Sequence, residues 1–594
     1  MPTISIKRDL LFKALNQTYT EEEFTFLCFD FGLELDDVTS ERQMIIKEQG
    51  ANAVADGSDD VIYRIEVPAN RYDLLCLEGL VVALLVFQNR MQFPHYKAIN
   101  PGDPKGMQRM FIKPNSKSIR PHVVAAVLRD ITFDTEVYAS FIDLQEKLHQ
   151  NLARKRTLVS IGTHDLDTIQ GPFTYDALPP DQIKFKPLNQ DKEYTGNEIM
   201  ELYANHAQLK QYLHIIKDSP YYPIITDANG VVLSLPPIIN GDHSKIKLTT
   251  KNVFIEVTAT DLHKAHIVLD TMVTAFSYHC KNRFSAEKCE IVWTDGSKHK
   301  TPTLSYRKEV IDTKKVNEYI GFKVQAGELA GMLTRMCLQS KTTGGADIVV
   351  RVPPTRHDIL HAVDIYEDAA IAFGYNNIVK KEPNFATVAI QDPLNKLSNQ
   401  LRHEIAYAGF AEVLSFSLCS KDDISKKLKI PYEETKAVEI SNPKTLEFQV
   451  VRTSLIPGLL KSLSFNKDVP LPIKLFEISD VVYCDETTGM FFTDTGARNM
   501  RKLCALYYNK RAGFEYLHGL LDRVMQVLDI PWEKEGGYYL NAINDESFFP
   551  KRAAEILWRG NRIGKIGVLH PDVINAFELP LPCSVMEMNI EPFV

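Results

Sequence analysis

Apolar positions along this chain alternate between a helical rhythm and a strand rhythm. After the capping signature Thr20-Glu21-Glu22-Glu23, residues Phe24, Leu27, Cys28 and Phe31 follow at helical spacing, and Gly32 supplies a stop. Val61 to Val67 reads as a strand leading into Pro68-Ala69-Asn70-Arg71-Tyr72-Asp73, where Asp73 suits a helix N-cap and Arg71 a bridge to a backbone or acidic group. The 14-residue apolar stretch Leu74 to Phe87 contains Glu78. It is too short to span a bilayer of about 30 Å and predicts a core helix. Residues 89–119, rich in Pro, Lys and Asn, read as a linker.

A second module begins near Arg120. Val123 to Leu128 predicts a buried strand, and Phe141, Leu144, Leu148 and Leu152 an amphipathic helix ended by Arg154-Lys155-Arg156, whose cations suit a helix C-terminus. Asn229-Gly230 between two apolar runs predicts a hairpin, Val253 to Val257 another strand, and Asp261 to Tyr278 a helix. The polar patch 293–302 marks a boundary. Beyond it come a strand over Ile348 to Val352, stopped by Pro353-Pro354, and a helix through Asp364 to Phe373, closed by Gly374. The last 200 or so residues mix both periods, including a helix from Leu394 to Tyr407 and a strand from Val413 to Phe416. This is α+β patterning with antiparallel sheets rather than a βαβ repeat.

The 594 residues imply about four domains at roughly 150 residues each. With 68 Lys and Arg against 76 Asp and Glu, the formal charge is −8. No general cationic field holds a polyanion, so any nucleic-acid contact is local or supplied by a partner. The segment 101–160 carries 10 basic and 6 acidic residues, weak support for an RNA-facing strip. Nine cysteines, an odd number without a C-x-x-C pair, point to buried thiols in a reducing compartment. The first residues lack the apolar core of a signal peptide, so a cytoplasmic protein without membrane contact is expected.

Two constellations could carry chemistry. Asp364, Glu367 and Asp368 share a helical face at i, i+3, i+4, and Asp358 lies just before that helix. Four clustered carboxylates suit a hard cation such as Mg2+; a solvated acidic face explains the same spacing. The second is Ser234-Leu235-Pro236-Pro237-Ile238-Ile239-Asn240-Gly241-Asp242-His243-Ser244, a proline-stiffened loop next to Glu256. With Thr258, Thr260 and Asp261 it is able to line a pocket for a water and a small amino-acid group; a constrained hairpin loop is the plainer reading. A nucleophilic set from Ser244, His243 and Asp261 lacks a G-x-S-x-G elbow. There is no phosphate loop, no dinucleotide fingerprint and no H-E-x-x-H.

Taken in order, Pro68 to Asp73, Ser234 to Gly241, Asn252 to Asp261, Pro353 to Asp358 with its acidic helix, and Phe476-Glu477-Ile478-Ser479-Asp480 resemble one family over essentially the whole chain. It is the β subunit of phenylalanine–tRNA ligase, of the archaeal and eukaryotic cytosolic type. The resemblance implies a tetramer of two α and two β subunits that joins phenylalanine to tRNA(Phe) with ATP, the class II active site lying on α. It implies for this chain an α+β multidomain fold: an N-terminal α+β module (1–90), a linker (91–119), an α+β editing domain (120–290), a small DNA-binding-like domain with magnesium (302–379), and an inactive class II synthetase-like antiparallel sheet domain (391–594). The magnesium ligands carry over to Asp358, Asp364, Glu367 and Asp368. Editing is hydrolysis of mischarged Tyr-tRNA, and a second site that binds the extra hydroxyl has a physical rationale, because an apolar pocket discriminates against an added hydroxyl only about a hundredfold. Glu256 and Asp261 are candidates to accept that hydroxyl or position water, with Leu235, Pro236, Ser244 and Thr258 as pocket residues. Arg452 and Glu477 read as packing and interface residues, since no credible ATP-binding arginine loop accompanies them. A noncatalytic scaffold binding RNA or protein through the third module is the alternative.

Overall fold

The computed structural model describes residues 2–49, 58–103, 106–382, 388–485 and 495–594. Pro104 and Lys105, inside the expected linker, lie outside the described residues. The chain divides into two compact units, 1–382 and 383–594.

The first unit opens with a three-stranded sheet in which Val61–Glu66 lies between Thr3–Lys7 and Glu34–Ser40. Helix Glu21–Phe31 begins with the expected capping box, Thr20 and Glu23 each satisfying the other's backbone N–H, and ends at Gly32 with φ +86°. Asp73 does not cap the apolar helix, which starts at Leu77. Instead the buried Arg71 holds the Asp73 carboxylate through Nε (2.9 Å) and Nη2 (2.8 Å), and the chain makes a 3-10 turn over Tyr72–Leu74.

The second module is an eleven-stranded sheet. Its main path runs from Ile239–Asn240 through Val232–Leu235, Tyr222–Thr226, Phe173–Leu178, Arg109–Ile112, Ser285–Val292, His122–Leu128 and Val253–Ala259 to Val159–Asp165. Two sequence expectations change here. The segment 91–119 is no linker: Lys97–Ile99 and Arg109–Ile112 pair with Ser285–Val292, and Met110 and Ile112 enter the core. The patch 293–302 is no boundary either; Lys298–Thr301 turns back on the same strand through a tight turn at Gly296. Both stretches are polar because they pair at a half-exposed part of the sheet. The returning segments also make three of its pairings parallel. Helices Thr135–Gln150 and Leu262–Phe276 cover one face and share a continuous core with the N-terminal helices.

The third module is a three-stranded sheet with Asp347–Val352 between Arg307–Asp312 and Gln339–Thr342. Ile348, Val350 and Val352 face helices Ala326–Arg335 and Ala362–Phe373, and Gly374 closes the latter.

In the second unit a seven-stranded sheet is covered on both faces, by helices Pro393–Tyr407 and Phe514–Val527 on one side and Ile456–Phe465 and Pro571–Ala576 on the other. Its pairings are antiparallel except for the short first strand Ala411–Glu412. The expected strand Val413 to Phe416 is loop, because Leu414 and Phe416 find no core to face and are each 80% exposed.

Candidate functional site

One end of the large sheet carries a cleft of about 280 Å³ lined by His149, Arg156, Tyr203, Pro236, Asn240 and Glu256, among others. Strand Val253–Ala259 sits between His122–Leu128 and Val159–Asp165, so it is paired along both edges and holds its side chains rigidly. Alternation puts Glu256 and Thr258 on one face, beside Gly162 and Ser160 of the neighbouring strand. Glu256 is 1% exposed. Its Oε1 accepts the Ser234 hydroxyl at 2.8 Å, and its Oε2 has no hydrogen-bond partner. Glycine at 162 makes room: a Cβ there would stand 2.0 Å from Glu256 Oε1.

Around this carboxylate the wall is pinned from three sides. Arg120, buried, donates to the carbonyls of Arg156, Thr157 and Thr258. Arg156 lies over the Tyr212 ring, donates to the carbonyls of Pro237 and Ile238, and reaches Glu146 at 3.2 Å. It is therefore not a simple helix C-cap; the helix ends at Gln150, and residues 154–156 all take positive φ to aim Arg156 at the proline loop. His149 Nε2 accepts the Ile161 N–H at 2.9 Å, and burial pushes its pKa down to about 4, so the ring is neutral near pH 7. Burial alone would raise the Glu146 carboxyl, but the His149 ring, Gln150 and Arg156 together hold it at about 2.

The sequence-named residues separate into two groups. Glu256 and Pro236 line the cleft. Thr258 lies beneath it, fully buried with its hydroxyl unpartnered. Leu235 is core, packed with Ile183 and Ile238. Asp261 does not join Glu256: it caps helix Leu262–Phe276, accepting from Lys264 N at 3.1 Å, the task its place before a helix dictates. Thr260 sits at the surface against the Leu158 carbonyl. The Ser244, His243, Asp261 arrangement does not exist; His243 points to the Thr168 carbonyl. Ser244 meets His164 Nδ1 at 2.8 Å instead, and His164 Nε2 lies 3.8 Å from Glu256. Ser244 and His164 are as buried as Glu256 and stand behind its carboxylate, Ser244 through His164. Sequence reasoning missed His164, His149, Arg156 and Gly162. The polar alternation Ser160, Gly162, His164 inside a buried strand was the available signal.

The acidic helix has the right oxygen chemistry for magnesium but not the convergence. Arg356, 1% exposed, holds both Asp358 and Asp368, each at 2.7 Å from Nη2. Asp364 Oδ2 accepts the backbone N–H groups of Leu360 and His361, and Glu367 is exposed. Among the described residues no three His, Cys, Asp or Glu side chains form a metal-sized cluster. The expected ligand set is thus not assembled, because a guanidinium occupies the position between two of its members. Burial pushes the Asp368 carboxyl up to about 6, while the Arg356 guanidinium beside it holds Asp358 low.

Four family models cover the chain: the phenylalanyl-tRNA synthetase β-subunit B1 domain (1–90), the B3/4 domain (104–283), the tRNA synthetase B5 domain (310–375) and the phenylalanyl-tRNA synthetase β-chain CLM domain (378–590). The phenylalanine–tRNA ligase β subunit of Drosophila melanogaster is 60% identical over 100% of both chains, and that of Homo sapiens is 57% identical over 100% of both. The chain belongs to the phenylalanine–tRNA ligase β-subunit family. It is a subunit of an aminoacyl-tRNA synthetase, and its partner is an α subunit. A similar chain from Arabidopsis thaliana, 47% identical over 100% of both, is named as cytoplasmic. A crystal structure of an N-terminal fragment of the β subunit from Pyrococcus horikoshii matches with a TM-score of 0.55 at 29% identity, over 63% of this chain and 100% of that one.

In this β subunit the CLM sheet carries buried charges that, among the described residues, pair with one another. Arg452 meets Glu477 at 2.8 Å and also binds Ser415, and Lys502 meets Glu587 at 2.9 Å. Glu587 further accepts the Leu455 N–H at 2.7 Å. Burial alone would depress Lys502, yet the Glu587 charge raises it. Neither cation is free for a triphosphate. Among the described residues no helix is long and apolar enough to cross a membrane.

Proposed function

We propose that the Glu256 cleft hydrolyses tyrosine mischarged on tRNA(Phe), while charging takes place on the α subunit within an assembly of two α and two β chains. One observation carries the reading. A buried carboxylate has one oxygen anchored by Ser234 and the other unpartnered at a cleft. A tyrosine phenol entering there donates its O–H to that oxygen; phenylalanine offers no donor and leaves the carboxylate buried and unpaired. Sites built around a hydrogen bond discriminate far more strongly than apolar ones. Water then adds to the ester carbon, the bond to the tRNA 3′-terminal oxygen breaks, and that oxygen takes up the proton. His149 and Arg156 act by holding the walls. The module that does this spans the strands from Lys97 to Thr301.

The CLM unit serves the assembly rather than ATP. Its buried cations are spent on carboxylates, whereas Tyr407, Leu414 and Phe416 are at least 80% exposed and offer an apolar face to a partner. Work in the cytoplasm fits the Arabidopsis relative. The test uses the chain reconstituted with an α subunit: Glu256→Gln is expected to lose hydrolysis of tyrosyl-tRNA and keep charging with phenylalanine. Hydrolysis at the parent rate refutes the assignment.

A further inference from the structure

A second groove, of about 730 Å³, lies between the first and third modules of the same unit. One wall is the segment after helix Leu77–Phe87 and the other is the edge strand Gln339–Thr342 with its neighbour Asp347–Val352. The walls are fixed to each other: Arg335 lies over the Phe87 ring at 4.5 Å and donates Nε–H to the Phe87 carbonyl at 2.9 Å.

Among the described residues three cations line the groove, Arg90, Lys341 and Arg351, and no Asp or Glu does. Arg90 spends its N–H groups on neutral oxygens, those of Leu15, Asn16, Gln88 and Tyr19, so its charge stays uncompensated. Register puts Lys341 opposite Val349, and Gln339 and Lys308 opposite Arg351. Alternation therefore places Lys308, Lys341 and Arg351 together on the face of the sheet away from the acidic helix. The module holds nine Lys and Arg and nine Asp and Glu between 302 and 379, so this face is cationic by segregation, not by composition. On this face of the strands the carboxylates are Asp312 and Asp347, which face each other about 13 Å along the chain from Arg351 and about 7 Å diagonally from Lys341. Beside the groove Arg351 lies over the Tyr306 ring (5.6 Å), which packs on His95 (4.8 Å), and the Tyr306 hydroxyl is anchored by Tyr96 N–H at 2.9 Å. Unpaired cations next to aromatic faces are the components of an RNA-binding surface.

We propose that this groove grips the phosphodiester backbone of the tRNA on which the ligase acts, through Lys341 and Arg351 with Arg90 behind them. The proposal rests on the ligase reading for the identity of the RNA. It gives this chain, whose net charge is −8, a local cationic contact of its own.

The experiment measures binding of a tRNA(Phe) transcript to the complex with the α subunit from 0.05 to about 0.5 M salt. Each phosphate contact contributes about 0.9 to the slope of log affinity against log salt. The Lys341→Gln/Arg351→Gln pair is expected to lower that slope by about 1.8, about sixtyfold weaker binding at 0.1 M if the curves meet near 1 M. The charging KM for tRNA rises and kcat holds. Lys341→Arg/Arg351→Lys, which keeps both charges, is expected to keep the slope. An unchanged slope in the glutamine pair, in a complex whose parent binds and charges tRNA, overturns the proposal and leaves the ligase reading standing. A parent complex that neither binds nor charges tRNA overturns both.

Discussion

Gly162→Ala is the sharpest probe of the cleft, because it moves Glu256 without altering it. The added Cβ would stand 2.0 Å from Oε1, 2.7 Å from Cδ and 3.1 Å from Cγ of Glu256. Real Cβ contacts essentially never fall below 3.0 Å, so the carboxylate has to retreat by about 1 Å. Gly162 lies in a strand paired to Val253–Ala259 along its whole length, so the backbone does not absorb the shift. The 2.8 Å bond from Ser234 is lost, at about 1.5–3 kcal/mol for a bond to a charged group, and a hydroxyl is left buried beside a displaced charge. Stability is expected to fall by about 2–4 kcal/mol, measured by denaturant unfolding of the complex. A displacement of this size costs roughly a hundredfold in a positioned reaction. Tyrosyl-tRNA hydrolysis should therefore drop by about that factor while phenylalanine charging holds. Shortening the acid in Gly162→Ala/Glu256→Asp relieves the contact and is expected to recover part of the stability. Parent hydrolysis and parent stability in Gly162→Ala together would refute both the packing argument and the role of Glu256.

Two other outcomes follow from buried charge. Arg356→Leu leaves Asp358 and Asp368 unpaired in the interior and should cost about 3–5 kcal/mol, read by denaturant unfolding; Arg356→Leu/Asp358→Asn/Asp368→Asn should recover most of it. His149 is neutral in the fold, with its pKa depressed from 6.5 to about 4, so the neutral ring contributes stability that disappears once the unfolded chain takes up a proton the fold refuses. That contribution is fully present above pH 6.5 and is lost as pH falls toward 4, about 3 kcal/mol over the window; His149→Asn should flatten the loss between pH 6.5 and 4 in pH-dependent melting.

What the sequence made legible, and what it hid, divides along one physical line. Local signals were readable because their partners are near in the chain: the Thr20–Glu23 capping box, the Asn229–Gly230 hairpin, the helix closed by Gly374. The segment 91–119 was misread because its strands pair with Ser285–Val292, nearly two hundred residues away, and short strands at a polar edge carry little periodicity of their own. The site shows the same division more sharply. Glu256 stood out as an acid inside an apolar strand, but its function depends on Ser234, Gly162 and His164, which only the sheet register brings to it. Asp261 went the other way: as a residue before a helix it had a complete local explanation, and the cap is what it does. The acidic helix repeats the lesson, since spacing put its carboxylates on one face and could not reveal that Arg356 stands between Asp358 and Asp368. A polar residue with a sufficient local partner is therefore weak evidence of chemistry. One that the fold buries and leaves with a free oxygen, as with Glu256, is strong evidence, because leaving a buried acceptor unmade costs about 1–3 kcal/mol that a bound substrate can return.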